Sequence, residues 1–133
     1  MTQTNDPHSI TQKSKQREQA RTFAVEAARS LKDDQCTDVV VLDLRGQSPV
    51  AELLVIATGT SDRQMQSAAD DVRDLAPKTG HALIRQAADE RRTWIVSDFG
   101  DVVVHIFEPD ARDYYDLELL WGDAEKVRWA REE

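Results

Sequence analysis

The stretch Trp94–Trp121 sets the tightest limit on what this chain can fold into. Trp94, Ile95 and Val96 form one apolar run; Val102, Val103, Val104, His105, Ile106 and Phe107 form the next. Runs this short, β-branched and bounded by turn residues predict strands. Between them, Ser97-Asp98-Phe99-Gly100-Asp101 holds a glycine free to take the positive φ of a tight connection. The two runs therefore predict a hairpin. On its second strand Val102, Val104 and Ile106 share one face, while Asp101, Val103, His105 and Phe107 share the other. Both faces are mostly apolar, which predicts a central strand covered on both sides. Pro109 lacks the donor that a ladder needs, so it ends the strand and opens a helix.

In that helix Tyr114, Leu117 and Trp121 fall at helical spacing, with Leu120 alongside. Asp110, Asp113, Asp116, Glu118 and Asp123 are interspersed. Two readings stand side by side. The stripe pins the helix to the core, as apolar helical stripes commonly do. Or it forms an aromatic and leucine surface with an acidic rim, suited to a protein partner.

The rest of the chain reads as scaffold. Residues 1–13 are polar and aperiodic and predict a disordered tail. From about Ser14 to Asp34 a helix buries Ala20, Phe23, Ala24, Ala27, Ala28 and Leu31 on one face. Strands follow at 38–45 and 53–58. Gly59-Thr60-Ser61 turns the second strand into a helix that buries Met65, Ala68, Ala69, Val72, Leu75 and Ala76. Ser61 or Thr60 supplies its N-cap. His81–Gln86 predicts a short strand, and Ala124–Glu133 a short frayed helix carrying Trp129. The order α-β-β-α-β-β-β-α predicts one α/β domain over 14–124: a mixed β-sheet with flanking helices, followed by a C-terminal tail at 125–133.

With 133 residues, 40% hydrophobic and 32% charged, the chain can build one real core. No apolar run is long enough to span a bilayer, and the first residues lack the apolar centre of an export signal. The lone cysteine, Cys36, excludes an intrachain disulfide; together these features predict a cytoplasmic protein. A net charge of −8 argues against coating phosphate backbones as the main act and predicts little direct nucleic-acid binding. The charge is uneven. The early segment carries Lys13, Lys15, Arg17, Arg21, Arg29 and Lys32 and is net positive, and the segment from Glu108 onward is acidic.

Chemistry-bearing motifs are sparse. The Gly59-Thr60-Ser61 turn, with Arg63 after it, has the outline of an anion cradle. It lacks the second glycine of a dinucleotide loop and the lysine of a Walker loop, so a capped helix start is the simpler reading. Asp98, Asp101 and His105 cluster in sequence, and Asp101 and His105 are predicted to point the same way. They offer no fourth ligand, and aspartates in such turns commonly fasten the backbone. No nucleophile motif occurs. Abundant carboxylates leave acid–base chemistry open without arguing for it, so the residues alone offer no motif for a metal, a cofactor or catalysis, and no metal or cofactor is expected.

Three blocks of this sequence resemble the ribosomal silencing factor family, RsfS or Iojap: 38–45, 53–64 and, most specifically, 94–124. The resemblance covers about residues 18 to 124. It implies a nucleotidyltransferase-like topology without the paired acidic metal signature of those enzymes. It also implies a non-catalytic protein that binds the large ribosomal subunit through ribosomal protein fourteen (uL-fourteen). Occupying that face blocks joining of the small subunit and represses translation under nutrient limitation or in stationary phase. A large-subunit assembly factor and a metal-dependent nucleotidyltransferase are the alternatives, and pairing into a homodimer when free is a further implication. The matched positions Trp94, Asp98, Asp101, His105, Arg112, Tyr115, Leu117, Leu120, Trp121 and Asp123 become the expected docking residues.

Overall fold

The computed structural model describes residues 7–49 and 51–131. A long helix, α1 (Pro7–Asp33), leads into β1 (Thr37–Asp43) and β2 (Leu53–Thr58). Helix α2 (Asp62–Leu75) runs into a single 3-10 turn, Ala76–Thr79. Then come β3 (Arg85–Ala88), β4 (Trp94–Asp98), β5 (Val102–Phe107), α3 (Pro109–Tyr115), α4 (Leu117–Leu120) and β6 (Glu125–Lys126). The strands form a six-stranded sheet in the order β3-β4-β5-β2-β1-β6. β2 and β5 pair in parallel at its centre, from Leu53 opposite Val102 to Thr58 opposite Phe107, and every other pairing is antiparallel. This is the mixed sheet that the strand pattern predicts.

Period-2 alternation divides the core between the sheet's two faces. On one face Val55 and Ala57 of β2 and Val102, Val104 and Ile106 of β5 pack against α1 and α2. The contact stripe of α1 is largely alanine (Ala20, Ala24, Ala27, Ala28), and small side chains let a helix backbone come close to a sheet. On the other face Leu42, Leu44, Leu54, Ile56 and Phe107 pack under Trp94, Leu117 and Trp121. β2 is buried at every position, as expected of a strand covered on both sides. The β4–β5 turn also follows the sequence: Gly100 sits at φ +96, and Asp98 Oδ1 accepts the Gly100 N–H at 2.8 Å.

Five local expectations are corrected. The first helix begins at Pro7 rather than near Ser14, so residues 7–13 of the expected disordered tail are helical, while 1–6 lie outside the described residues. The third strand is Arg85–Ala88, not His81–Gln86. Gly80 takes a left-handed turn after α2, and a bridge from His81 to the hairpin turn holds residues 81–84 before the ladder opens with Arg85 opposite Asp98. The helix after Pro109 is two short helices, because Asp116 adopts φ +46, ψ +54. Aspartate tolerates that left-handed conformation better than most residues. The closing segment is a strand, not a frayed helix: Leu42 and Asp43 pair with Lys126 and Glu125, Val127 is buried, and Trp129 Nε1 donates to the Val39 carbonyl at 3.1 Å. Finally, Asp101 precedes β5 and does not share the face of His105, as described below.

One junction stores a pH-dependent cost. Asp34, just past α1, has a buried carboxylate oxygen without a hydrogen-bond partner. Burial first, and then the neighbouring Asp71 carboxyl, push its pKa up to about 6. A carboxyl raised in the folded state adds stability only below its unfolded value, and that contribution is lost as pH rises through about 6. Asp34→Asn is therefore expected to stabilise the fold by about 2 kcal/mol at pH 7. The gain should fade below about pH 4, where the wild-type carboxyl is protonated in both states. Urea melts at the two pH values check this; equal gains at both would refute the titration account.

Candidate functional site

The C-terminal end of β5 delivers the chain to α3, and there an aromatic platform assembles. Trp94 of β4 stacks on Phe107 with ring centroids 5.0 Å apart and on His105 at 5.8 Å. Tyr115 of α3 lies over Trp94 at 4.4 Å. Trp94 Nε1 donates to His105 Nδ1 at 3.0 Å, which leaves the imidazole proton on Nε2. Burial lowers the His105 pKa to about 4, so the ring is neutral at physiological pH. His105 is thus a core partner of Trp94.

Above this platform the surface is apolar and open. Tyr114 is 82% exposed, Leu119 77%, Leu120 68% and Tyr115 42%. Tyr114 meets Tyr115 edge-on at 5.0 Å, so the two rings support one another. Leu117 and Trp121 turn the other way and pack, half-buried, onto the Phe107 side of the sheet. Asp110, Asp113, Asp116 and Asp123 are interspersed along the same segment and all four are exposed, so its outer surface is acidic.

Arg112 is the only basic residue between Glu108 and Glu125, and it faces inward. Its side chain is only 12% exposed. Nη1 donates to Thr58 Oγ1 at 2.8 Å and to the Asp38 carbonyl, while Nε and Nη2 donate to Glu118 Oε1 at 3.2 and 3.1 Å. One guanidinium therefore ties α3 and α4 to the end of β2 and the start of β1. Helices of seven and four residues cannot hold themselves, so this brace positions the patch. Arg112→Ala is expected to cost about 2 kcal/mol, because Glu118 and Thr58 lose a buried partner. Arg112→Lys should recover little of that, since an ammonium cannot make the forked contact. Thermal melts of both variants decide the point; full rescue by lysine would reduce the brace to a simple charge.

The expected docking residues thus separate. Tyr115, Leu120 and Asp123 are exposed at the patch, whereas Trp94, Leu117 and Trp121 support it from below. His105 and Arg112 act inside. Asp98 fastens the hairpin turn. Asp101 belongs to the opposite face of the sheet: its Oδ1 lies 2.9 Å from His81 Nε2, and His81 stacks on Phe23 of α1 at 4.7 Å. The sequence reading missed Leu119 altogether and left Tyr114 open between an inward stripe and a partner-facing surface; the structure turns it outward. The run Leu117-Glu118-Leu119-Leu120 carried the missing signal, because a single helical turn cannot bury three leucines on one side.

Elsewhere the candidate motifs are structural. Ser61 Oγ accepts the Gln64 N–H at 3.1 Å, and Gln64 Oε1 accepts the Thr60 N–H at 2.9 Å, a reciprocal cap for α2. Cys36 is buried, and burial pushes its thiol pKa up. Among the described residues no group of three or more His, Cys, Asp or Glu side chains is placed to hold a metal ion, and no helix is long and apolar enough to cross a membrane.

Comparison with known proteins converges on one family. The family model described as "Ribosomal silencing factor during starvation" matches residues 16–133. The ribosomal silencing factor RsfS of Bacillus subtilis is 41% identical over 98 residues, covering 74% of this chain and 83% of its own. The chloroplastic protein Iojap of Zea mays is 32% identical over 105 residues, covering 79% of this chain and 46% of its own. A crystal structure of a Chromobacterium violaceum protein superposes with a TM-score of 0.72 at 32% identity, covering 85% of this chain and 93% of that one. A Bacillus halodurans structure gives 0.64 at 34% identity, covering 80% and 94%.

Proposed function

Because the chain belongs to the ribosomal silencing factor family, we propose that it docks on the large ribosomal subunit through ribosomal protein fourteen and blocks joining of the small subunit. The observation that carries this reading is the exposed patch of Tyr114, Tyr115, Leu119 and Leu120 within an acidic rim. Monomeric surfaces seldom expose a contiguous apolar cluster unless it meets something. Tyrosines are common anchors at interface centres, and acidic rim charges favour a basic partner surface. The rigid Trp94–Phe107–Tyr115 stack beneath lowers the ordering cost of docking, because the anchors are already held in place. In this proposal the protein acts by occupying a surface rather than by catalysis, and it acts in the cytoplasm where subunits meet.

The test is a gradient joining experiment. Purified protein is added to large subunits, small subunits follow, and both the protein and the joined-ribosome peak are traced. The expected result is co-migration with the large subunit and loss of the joined peak. Co-migration with an undiminished joined peak would replace silencing by an assembly role. Failure to co-migrate would overturn the ribosome reading.

A further inference from the structure

We infer that the solvated stretch from Lys13 to Gln19 of α1 is a second contact surface, built for the phosphate backbone of structured RNA. This rests on the large-subunit reading above. Helix α1 runs for 27 residues, yet Ala20 is its first buried side chain among those described. Every residue from Lys13 to Gln19 is exposed: Lys, Ser, Lys, Gln, Arg, Glu, Gln. At about 1.5 Å of rise per residue that is roughly 10 Å of solvated helix with no apolar side chain. Helices in proteins owe most of their stability to packing an apolar face, so this stretch is not maintained by the core. Its composition also excludes an apolar partner.

What it presents is positive charge. Lys13, Lys15, Arg17 and Arg21 stand against Glu18 alone, in a chain of net charge −8. Lys13, Arg17 and Arg21 recur every four residues and form one row along the helix. Arg17 is only loosely engaged, 3.9 Å from Glu52, and Arg21 lies 3.5 Å from Asp43, itself already held by Arg45 at 2.6 Å. Lys13 and Lys15 have no ion-pair partner among the described residues. Segregated cations on an acidic protein fit a polyanion, and lysines without partners release counterions when they meet phosphates.

The row reaches a cleft at the β1–β6 edge of the sheet. There Arg17 and Arg45 share the cleft with Asp43, Glu52, Asp123 and Glu125, so the cations left for a polyanion are Lys13 and Lys15 at the outer end of the helix. Helices α3 and α4 pack on the other face of the sheet from α1, so the two contacts are separate surfaces. The two surfaces divide the work: the acidic apolar patch meets a basic protein, and the cationic helix meets the RNA around it.

The test uses Lys13→Gln with Lys15→Gln, which removes two charges and keeps helix propensity nearly constant. Binding is measured from 50 to 200 mM salt against three probes: large subunits, isolated ribosomal protein fourteen and a short A-form RNA duplex. Expected are a loss of subunit affinity of about tenfold and a slope of log affinity against log salt shallower by roughly 1.5. RNA-duplex binding should weaken in parallel, and affinity for the isolated protein should not change. An unchanged salt slope on both subunits and duplex would overturn the proposal. An equal loss on the isolated protein would overturn it too, by making the helix a protein contact. If wild type binds the duplex with the expected slope but not the subunits, the silencing reading falls and the RNA surface stands.

Discussion

Replacing Leu119 and Leu120 together by serine should weaken large-subunit binding about a hundredfold while leaving the melting temperature within roughly 2 °C of wild type. The two side chains are 77% and 68% exposed, so the fold gains little from them. Buried at an interface, a leucine is worth about 1.5–3 kcal/mol. Losing most of two such contributions, offset by residual contact, leaves about 2.7 kcal/mol, or two powers of ten. Serine adds no charge, so the acidic rim and its pull on a basic partner stay the same. Titration of labelled protein into large subunits measures the effect, and a parallel melt guards against unfolding. Wild-type affinity in a folded double variant would mean that α4 is not part of the interface. Loss of affinity with a collapsed melting temperature would instead show that these leucines serve the fold.

Gly59→Ala should destabilise the protein by about 3 kcal/mol, lowering its melting temperature by roughly 10 °C or more. An added Cβ would stand 2.2 Å from Met65 Cγ and 2.7 Å from Gln64 Oε1. Met65 is fully buried and cannot swing away. Gln64 has little freedom either: its Oε1 caps the Thr60 N–H, and its Nε2 donates to the Asp34 carbonyl at 2.8 Å and to Cys36 Sγ at 3.4 Å. Displacing it disconnects the end of α1, the start of β1 and the start of α2 together. Gly46→Ala is the control, since Gly46 has open space around it but φ +84. Left-handed strain alone should cost it about 1 kcal/mol. If the two substitutions cost the same, the crowding argument at Gly59 fails.

How much of this was legible beforehand varied by element. The hairpin, the double cover of β5 and the alanine stripe of α1 all follow from the sequence pattern, because the spacing of apolar residues repeats with the backbone. The docking patch does not. Its shape depends on Asp116 taking a left-handed conformation, and no period records a single residue's φ. Helical spacing extended through that break groups Tyr114 with Leu117 and Trp121, although the structure turns the first outward and the other two inward. The same limit explains Asp101. Two-residue alternation holds within β5, but Asp101 lies in the turn before it, where the chain has already rotated towards His81. Arg112 was selected as a contact residue because it belongs to the specific block, and its role as an internal brace needs partners 54 and 74 positions away.

Those separations set when during synthesis the protein becomes competent. A chain emerging from a ribosome has released Asp38 and Thr58 long before Arg112 and Glu118. Until all four have left the exit channel and the centre of the sheet has closed, α3 and α4 have nothing to lean on. A growing chain therefore carries no finished α3–α4 patch. If the patch docks as proposed, the chain is in this way kept from engaging a subunit while it is still being made. Competence arrives as a late step, after the slow non-local pairings of the sheet rather than with the first local helices.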